Sequence, residues 1–159
     1  MTPAQVILVA EDNDDEFVLL RCAFESARLP HRLIGVANGQ DAISYLWADE
    51  PFTNRSAYPF PDLVLLDLRM PVMGGIEVLA AVKDRIEFRQ LPIVVLSSID
   101  DRAIIKKVLK LGAKDFLLKP LTMLERIDMV RGLCSRWLKD SDKPTVGRRM
   151  LNPWSIPPH

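Results

Sequence analysis

Residues able to do acid, metal or phosphorus chemistry stand where the apolar runs of this chain stop. Glu11 and Asp12 follow QVILVA (5–10), and Asp67 closes PDLVLLD (61–67). Ser97 and Ser98 end LPIVVLSS (91–98), and Lys119 ends KDFLLKP (114–120) just before Pro120. A carboxylate at the end of a buried strand is costly to keep ionised. Two carboxylates about 5 Å apart repel by roughly 3 kcal/mol at an effective dielectric near 20. Three of them, brought together, need counter-charge. A hard divalent cation held by oxygens supplies it, and Mg²⁺ uses one or two carboxylates while keeping water sites open for a phosphate. Lys119 adds a second positive charge on a long stem. An ionised, oriented Asp67 beside such a cation is a competent nucleophile toward phosphorus.

These residues meet only if the strands are parallel neighbours. Short apolar runs alternate with helical spacings along the chain: strands at 5–10, 31–37, 61–67, 91–98 and 114–120, and helices at 14–27, from 38 to 47, 75–86, 100–111 and 121–138. Five βα units in alternation predict an α/β fold, with a five-stranded parallel sheet and helices on both faces. Ligands of such sheets bind beyond the carboxyl ends of the strands, where the polar residues stand. Two segments fall outside the pattern. The connection ADEPFTNRSAYPFP (48–61) is long and rich in Pro and aromatics, and KDSDKPTVGRRMLNPWSIPPH (139–159) is a Pro-rich tail without periodicity.

Composition sets the class. The 159 residues suit one domain, with 48% apolar and 26% charged residues. Lys plus Arg equals Asp plus Glu at 21 each, which argues against holding nucleic acid by bulk charge. Cys22 and Cys134 stand alone and read as reduced core thiols. The first strand starts too close to Met1 for a signal peptide, and no apolar run is long enough to cross a bilayer, so a cytoplasmic protein is expected.

EDN after the first strand, DLRMPVMGG around Asp67, LSS after the fourth strand and DFLLKP at the fifth resemble, in order and spacing, the receiver domain of two-component response regulators. The resemblance covers about 5–138, which makes 1–138 the expected domain and 139–159 a tail. It implies a doubly wound, flavodoxin-like sheet of order 2-1-3-4-5. It also implies a phosphoacceptor role for Asp67, with Asp12 as direct Mg²⁺ ligand, Glu11 acting through metal-bound water and the Arg69 backbone carbonyl as a further ligand. Ser97 matches the switch hydroxyl, Lys119 the family lysine, and Phe116 the aromatic switch position, without the hydroxyl of a Tyr. A cis peptide is implied before Pro120. The phosphodonor would be a histidine kinase, and the long 48–61 connection together with LPIVVLSS resembles regulators paired with bacterial phytochrome-type kinases. Such a protein modifies only itself and is not expected to turn over a substrate.

Competing readings are weighed on particular residues. Singly, Glu11 and Asp12 read as a helix-start acid cluster, and Asp67 as a turn cap; together with Ser97 and Lys119 they read as a site. A Mg²⁺-dependent phosphohydrolase of the haloacid dehalogenase type would want an acid at position 69, where Arg69 stands. A flavin-binding domain would want a Gly- or Thr-rich loop where EDNDDE stands. No helix-turn-helix pattern follows residue 138, so DNA is not an expected partner. Lys106, Lys107 and Lys110 read as a solvated helix face. Along the last helix, Leu121, Met129 and Leu133 broaden the apolar stripe, which predicts a partner contact or a homodimer through helix 4, strand 5 and helix 5. Met150, Leu151 and Trp154 in the tail are expected to dock on a groove.

Overall fold

The computed structural model describes residues 4–138; the tail, and the docking expected of Met150, Leu151 and Trp154, lie outside the described residues. Five strands, β1 (Val6–Ala10), β2 (Arg32–Val36), β3 (Leu63–Asp67), β4 (Ile93–Ser97) and β5 (Asp115–Leu118), form one sheet in the order β2-β1-β3-β4-β5. All neighbouring strands pair in parallel. Between them run α1 (Asp14–Ser26), α2 (Gly39–Trp47), α3 (Gly75–Lys83), α4 (Arg102–Lys110) and, after β5, α5 (Met123–Trp137). This is the doubly wound, flavodoxin-like arrangement anticipated above.

Side chains alternate across the sheet, as strand geometry requires. Leu8, Ala10, Val64, Leu66, Ile93, Val95 and Phe116 enter a core shared with α2, α3 and α4. Ile7, Val9, Leu63, Leu65, Val94, Leu96 and Leu117 enter a second core shared with α1 and α5. Every residue of β3 and β4 is buried, so Asp67 and Ser97 end strands that have no wet face.

Local signals fix the helix starts beside the strand ends. Asn13 caps α1 by accepting from the amides of Asp15 (2.9 Å) and Glu16 (3.2 Å). Asp101 does the same for α4, and Thr122 for α5. Each such cap is worth about 1 kcal/mol.

The long connection between α2 and β3 is held by its own polar groups. Arg55 donates to the carbonyls of Tyr45 (2.9 Å), Leu46 (3.0 Å) and Tyr58 (3.1 Å), two of which lie in the last turn of α2, and the Tyr45 carbonyl also accepts from the Ala48 amide at 3.2 Å. The Tyr45 hydroxyl donates to the Pro59 carbonyl at 2.7 Å, and the buried Tyr45 ring packs against Phe52 and Tyr58.

Three details differ from expectation. The helix predicted over 75–86 ends at Lys83, because Arg85 adopts an extended backbone and the chain re-forms as a short 3-10 turn, Ile86–Phe88. Phe88 then takes the buried place, stacked on Trp47, and Ile86 is left exposed. On α5, Met129 and Leu133 belong to the core and do not widen an outer stripe; Leu124, and Leu121 just before the helix, are the exposed apolar residues there. Among the described residues the cis peptide precedes Pro51, so the Lys119–Pro120 bond is trans, the form an X-Pro bond intrinsically favours.

Candidate functional site

The parallel register sets the carboxyl ends of β1, β3, β4 and β5 side by side, and the polar residues converge there. Glu11, Asp12 and Asp67 each offer a carboxylate oxygen, and these oxygens lie within 4.8 Å of one another. Asp67 is 8% exposed, whereas Asp12 stands open to solvent. Lys119 closes the group from the β5 side: its ammonium donates to Glu11 Oε2 at 2.9 Å and to Asp67 Oδ2 at 3.2 Å.

Backbone groups complete the fixing of the carboxylates. Glu11 Oε1 accepts from the Asn13 amide at 3.1 Å, so both oxygens of Glu11 are engaged. Asp67 Oδ1 accepts only a long 3.4 Å contact from the Arg69 amide, which sets the backbone of residue 69 beside the carboxylate. Lys119 is itself anchored, its amide donating to the Ser97 carbonyl at 2.9 Å. Glycines let the β3–α3 loop come close. A Cβ on Gly75 would lie 2.4 Å from the Asp67 carbonyl oxygen, which admits glycine alone without movement.

Burial and charge oppose each other here. Desolvation raises the Glu11 carboxyl above its ordinary range, and the Asp67 charge adds to this, while the Lys119 hydrogen bond and charge offset part of it. Burial works to lower the Lys119 ammonium, but the hydrogen bond to Glu11 and the charges of Asp67 and Glu11 outweigh it, so its net shift is upward. The one amine thus compensates the acids only in part, since Glu11 stays raised.

The remaining expected residues lie around this group. Ser97 is 1% exposed and its hydroxyl accepts from the Ile99 amide at 3.0 Å, tying the β4–α4 loop to the strand end. Phe116 is fully buried in the core on the α2–α4 side, with Ile105 and Val108 of α4. Sequence reasoning missed Arg126 and Glu16. Arg126 is 6% exposed on the inner face of α5, and it lines the same small cavity as Glu11, Glu16, Asp67 and Lys119. The available signal was a basic residue in register with the apolar stripe of that helix.

What this arrangement can do is bind a hard cation through oxygens and offer Asp67 Oδ1 to an electrophile, with an ammonium waiting at the other oxygen. Known proteins resemble this chain. The family model described as response regulator receiver domain matches residues 7–131. Response regulator Rcp1 of Synechocystis sp. is 30% identical over 144 residues, which span 91% of this chain and 96% of that protein. The Mn²⁺-bound form of Rcp1 superposes with a TM-score of 0.75 at 28% identity, over 88% of this chain and 99% of that one. The phosphorylated cyanobacterial phytochrome response regulator RcpA gives a TM-score of 0.77 at 29% identity, covering 86% and 95% of the two chains. Response regulator RPA3017, in red light signalling of R. palustris, gives 0.81 at 28% identity, covering 89% and 99%.

Proposed function

Because this chain belongs to the response regulator receiver domain family, we propose that Asp67 accepts a phosphoryl group from a histidine kinase and that the changed surface carries the signal. The observation that carries this reading is the Lys119 ammonium bridging Asp67 and Glu11 inside a cluster of three carboxylates.

Receiver domains bind a divalent metal, and one relative is solved with Mn²⁺. The donor set here fits such an ion, being hard oxygens within 4.8 Å of one another. Asp12, Asp67 and the Arg69 carbonyl would hold Mg²⁺, with Glu11 reaching it through water. Bound there, the ion would offset charge on the phosphoryl oxygens.

The protein's own groups do the rest. Asp67 Oδ1 forms a bond to phosphorus as the P–N bond of a phosphohistidine breaks, and the electron pair leaves on the imidazole nitrogen. The product is an acyl phosphate on Asp67. Lys119, already at Oδ2, follows the charge as it moves onto the phosphoryl oxygens. The group adds about −1.5 to −2 charges and new acceptors. Ser97 can exchange its bond to the Ile99 amide for one to those acceptors, which draws the β4–α4 loop inward. Phe116, packed against α4, passes the shift to that helix.

In this reading the protein modifies only itself and turns over no other substrate. Residues 1–138 make up the receiver and 139–159 a tail. The kinase is of the phytochrome type, as the light-signalling relatives suggest. The exposed Leu118, Leu121 and Leu124 support a homodimer through α4, β5 and α5. The test is phosphotransfer from a radiolabelled phytochrome-type histidine kinase of the same genome. Label is expected to move to the wild type within minutes and not to Asp67→Asn. Equal labelling of both would overturn the reading.

A further inference from the structure

The inner face of α5 carries Arg126, Met129, Val130, Leu133 and Cys134. An amphipathic helix explains all of these except the arginine. A buried guanidinium pays a desolvation cost that a leucine would not, so its partners must supply the reason for it. Its Nη2 donates to the Pro120 carbonyl at 3.2 Å and pairs with Glu16 Oε2 at 3.4 Å. Pro120 directly follows Lys119. Glu16 lies in the first turn of α1, behind the Asn13 cap and the loop that holds Glu11 and Asp12. Arg126 and Glu16 line one small cavity, about 20 Å³, together with Glu11, Asp67 and Lys119.

We propose that Arg126 is a positioning residue for phosphoryl transfer to Asp67. Its guanidinium ties the turn that carries Lys119 to the start of α1, and so holds the ammonium at 2.9 and 3.2 Å from the Glu11 and Asp67 oxygens. Both contacts leave from the one Nη2 nitrogen, whose N–H directions the planar guanidinium fixes, whereas a lysine ammonium is a point charge on a flexible stem. The inference rests on the reading of Asp67 as phosphoacceptor.

The test uses the full chain as wild type, Arg126→Leu, Arg126→Lys, Lys119→Met and the Arg126→Leu/Lys119→Met double variant. Phosphorylation by acetyl phosphate with Mg²⁺ is timed over a range of donor concentrations, well below each variant's melting temperature. Arg126→Leu should lower the maximal rate by about tenfold or more, in line with the cost of misplacing a reacting group by a fraction of an ångström to one ångström. The donor concentration at half-maximal rate should stay unchanged, and Arg126→Lys should recover only part of the loss. In the Lys119→Met background Arg126→Leu should cost nothing further, since it acts through that ammonium. A full rate in Arg126→Leu, or an equal loss in both backgrounds, overturns the inference. A wild type that takes no phosphate removes the phosphoacceptor reading and this inference together. A reactive wild type matched by Arg126→Leu removes the inference alone.

Discussion

Gly75→Ala puts the closeness of the β3–α3 loop to Asp67 under direct test. The new Cβ would sit 2.4 Å from the Asp67 carbonyl oxygen and 3.0 Å from the Leu68 Cα. Non-bonded heavy atoms prefer about 3.5–4.0 Å, so close to an ångström of overlap must be relieved. Both obstacles are backbone. β3 is locked to β4 by the ladder through Asp67 and Leu96, and the Gly75 amide already donates to the Leu68 carbonyl at 3.0 Å. The start of α3 must therefore retreat. Overpacking of this kind costs about 1–3 kcal/mol, and rigid walls put this case in the upper part of that range. Ala is the better helix former by at most about 1 kcal/mol, so the clash wins. The net cost is about 1–2 kcal/mol, and for a chain of this size each kcal/mol moves the melting temperature by about 2–4 °C, which gives a drop of about 2–8 °C. Thermal unfolding followed by circular dichroism reads the stability, and timed phosphorylation by acetyl phosphate reads the site, whose carboxylate should react more slowly as the loop moves. A Gly75→Ala protein that melts with the wild type and reacts as fast would refute the reasoning.

Other consequences follow from particular contacts. Lys119→Met leaves Glu11 and Asp67 without their ammonium; phosphorylation should slow by about 10²-fold or more, the scale for losing one charge-stabilising donor, and Mg²⁺ should raise the melting temperature of the variant more than that of the wild type. Arg55→Ala removes a donor from three carbonyls of α2 and the following connection, of which Tyr45 keeps the Ala48 amide; stability in urea should fall by about 2–3 kcal/mol, with earlier proteolytic cutting within 48–61, and an unchanged midpoint would refute the role given to Arg55. Burial lowers His31 below its ordinary value of 6.5, partly offset by the Asp62 charge, and its Nδ1 accepts from the Gln5 amide at 3.2 Å. Folding thus favours the neutral ring, so its contribution is complete above pH 6.5 and is lost as pH falls through the lowered folded value. Relative to His31→Gln, the wild type should lose stability over that window; parallel melting curves from pH 7 to about pH 5 would contradict the assignment.

Much of this molecule can be read from its amino-acid order, for physical reasons. Fully buried parallel strands write themselves as unbroken apolar runs, and LVLLD and IVVLS were legible as such. Because parallel strands all end on one side, the residues after those runs had to meet, and Glu11, Asp12, Asp67 and Lys119 do. What escaped depends on three-dimensional partners. Nothing local shows that the chain turns at Arg85 so that Phe88, not Ile86, reaches Trp47. Arg126 looks like a break in a stripe until Pro120 and Glu16, from a turn and a distant helix, are seen against it. Arg55 likewise reads as a loop cation until the helix-end carbonyls of α2 surround it.

The most direct measurement is tandem mass spectrometry of the full chain after exposure to acetyl phosphate, with Mg²⁺ present or chelated. An ammonium-braced carboxylate at the end of β3 predicts one phosphoryl group, on Asp67, formed only when the divalent ion is present and missing from Asp67→Asn. Label on another residue, label retained in Asp67→Asn, or undiminished labelling in the chelator would contradict it.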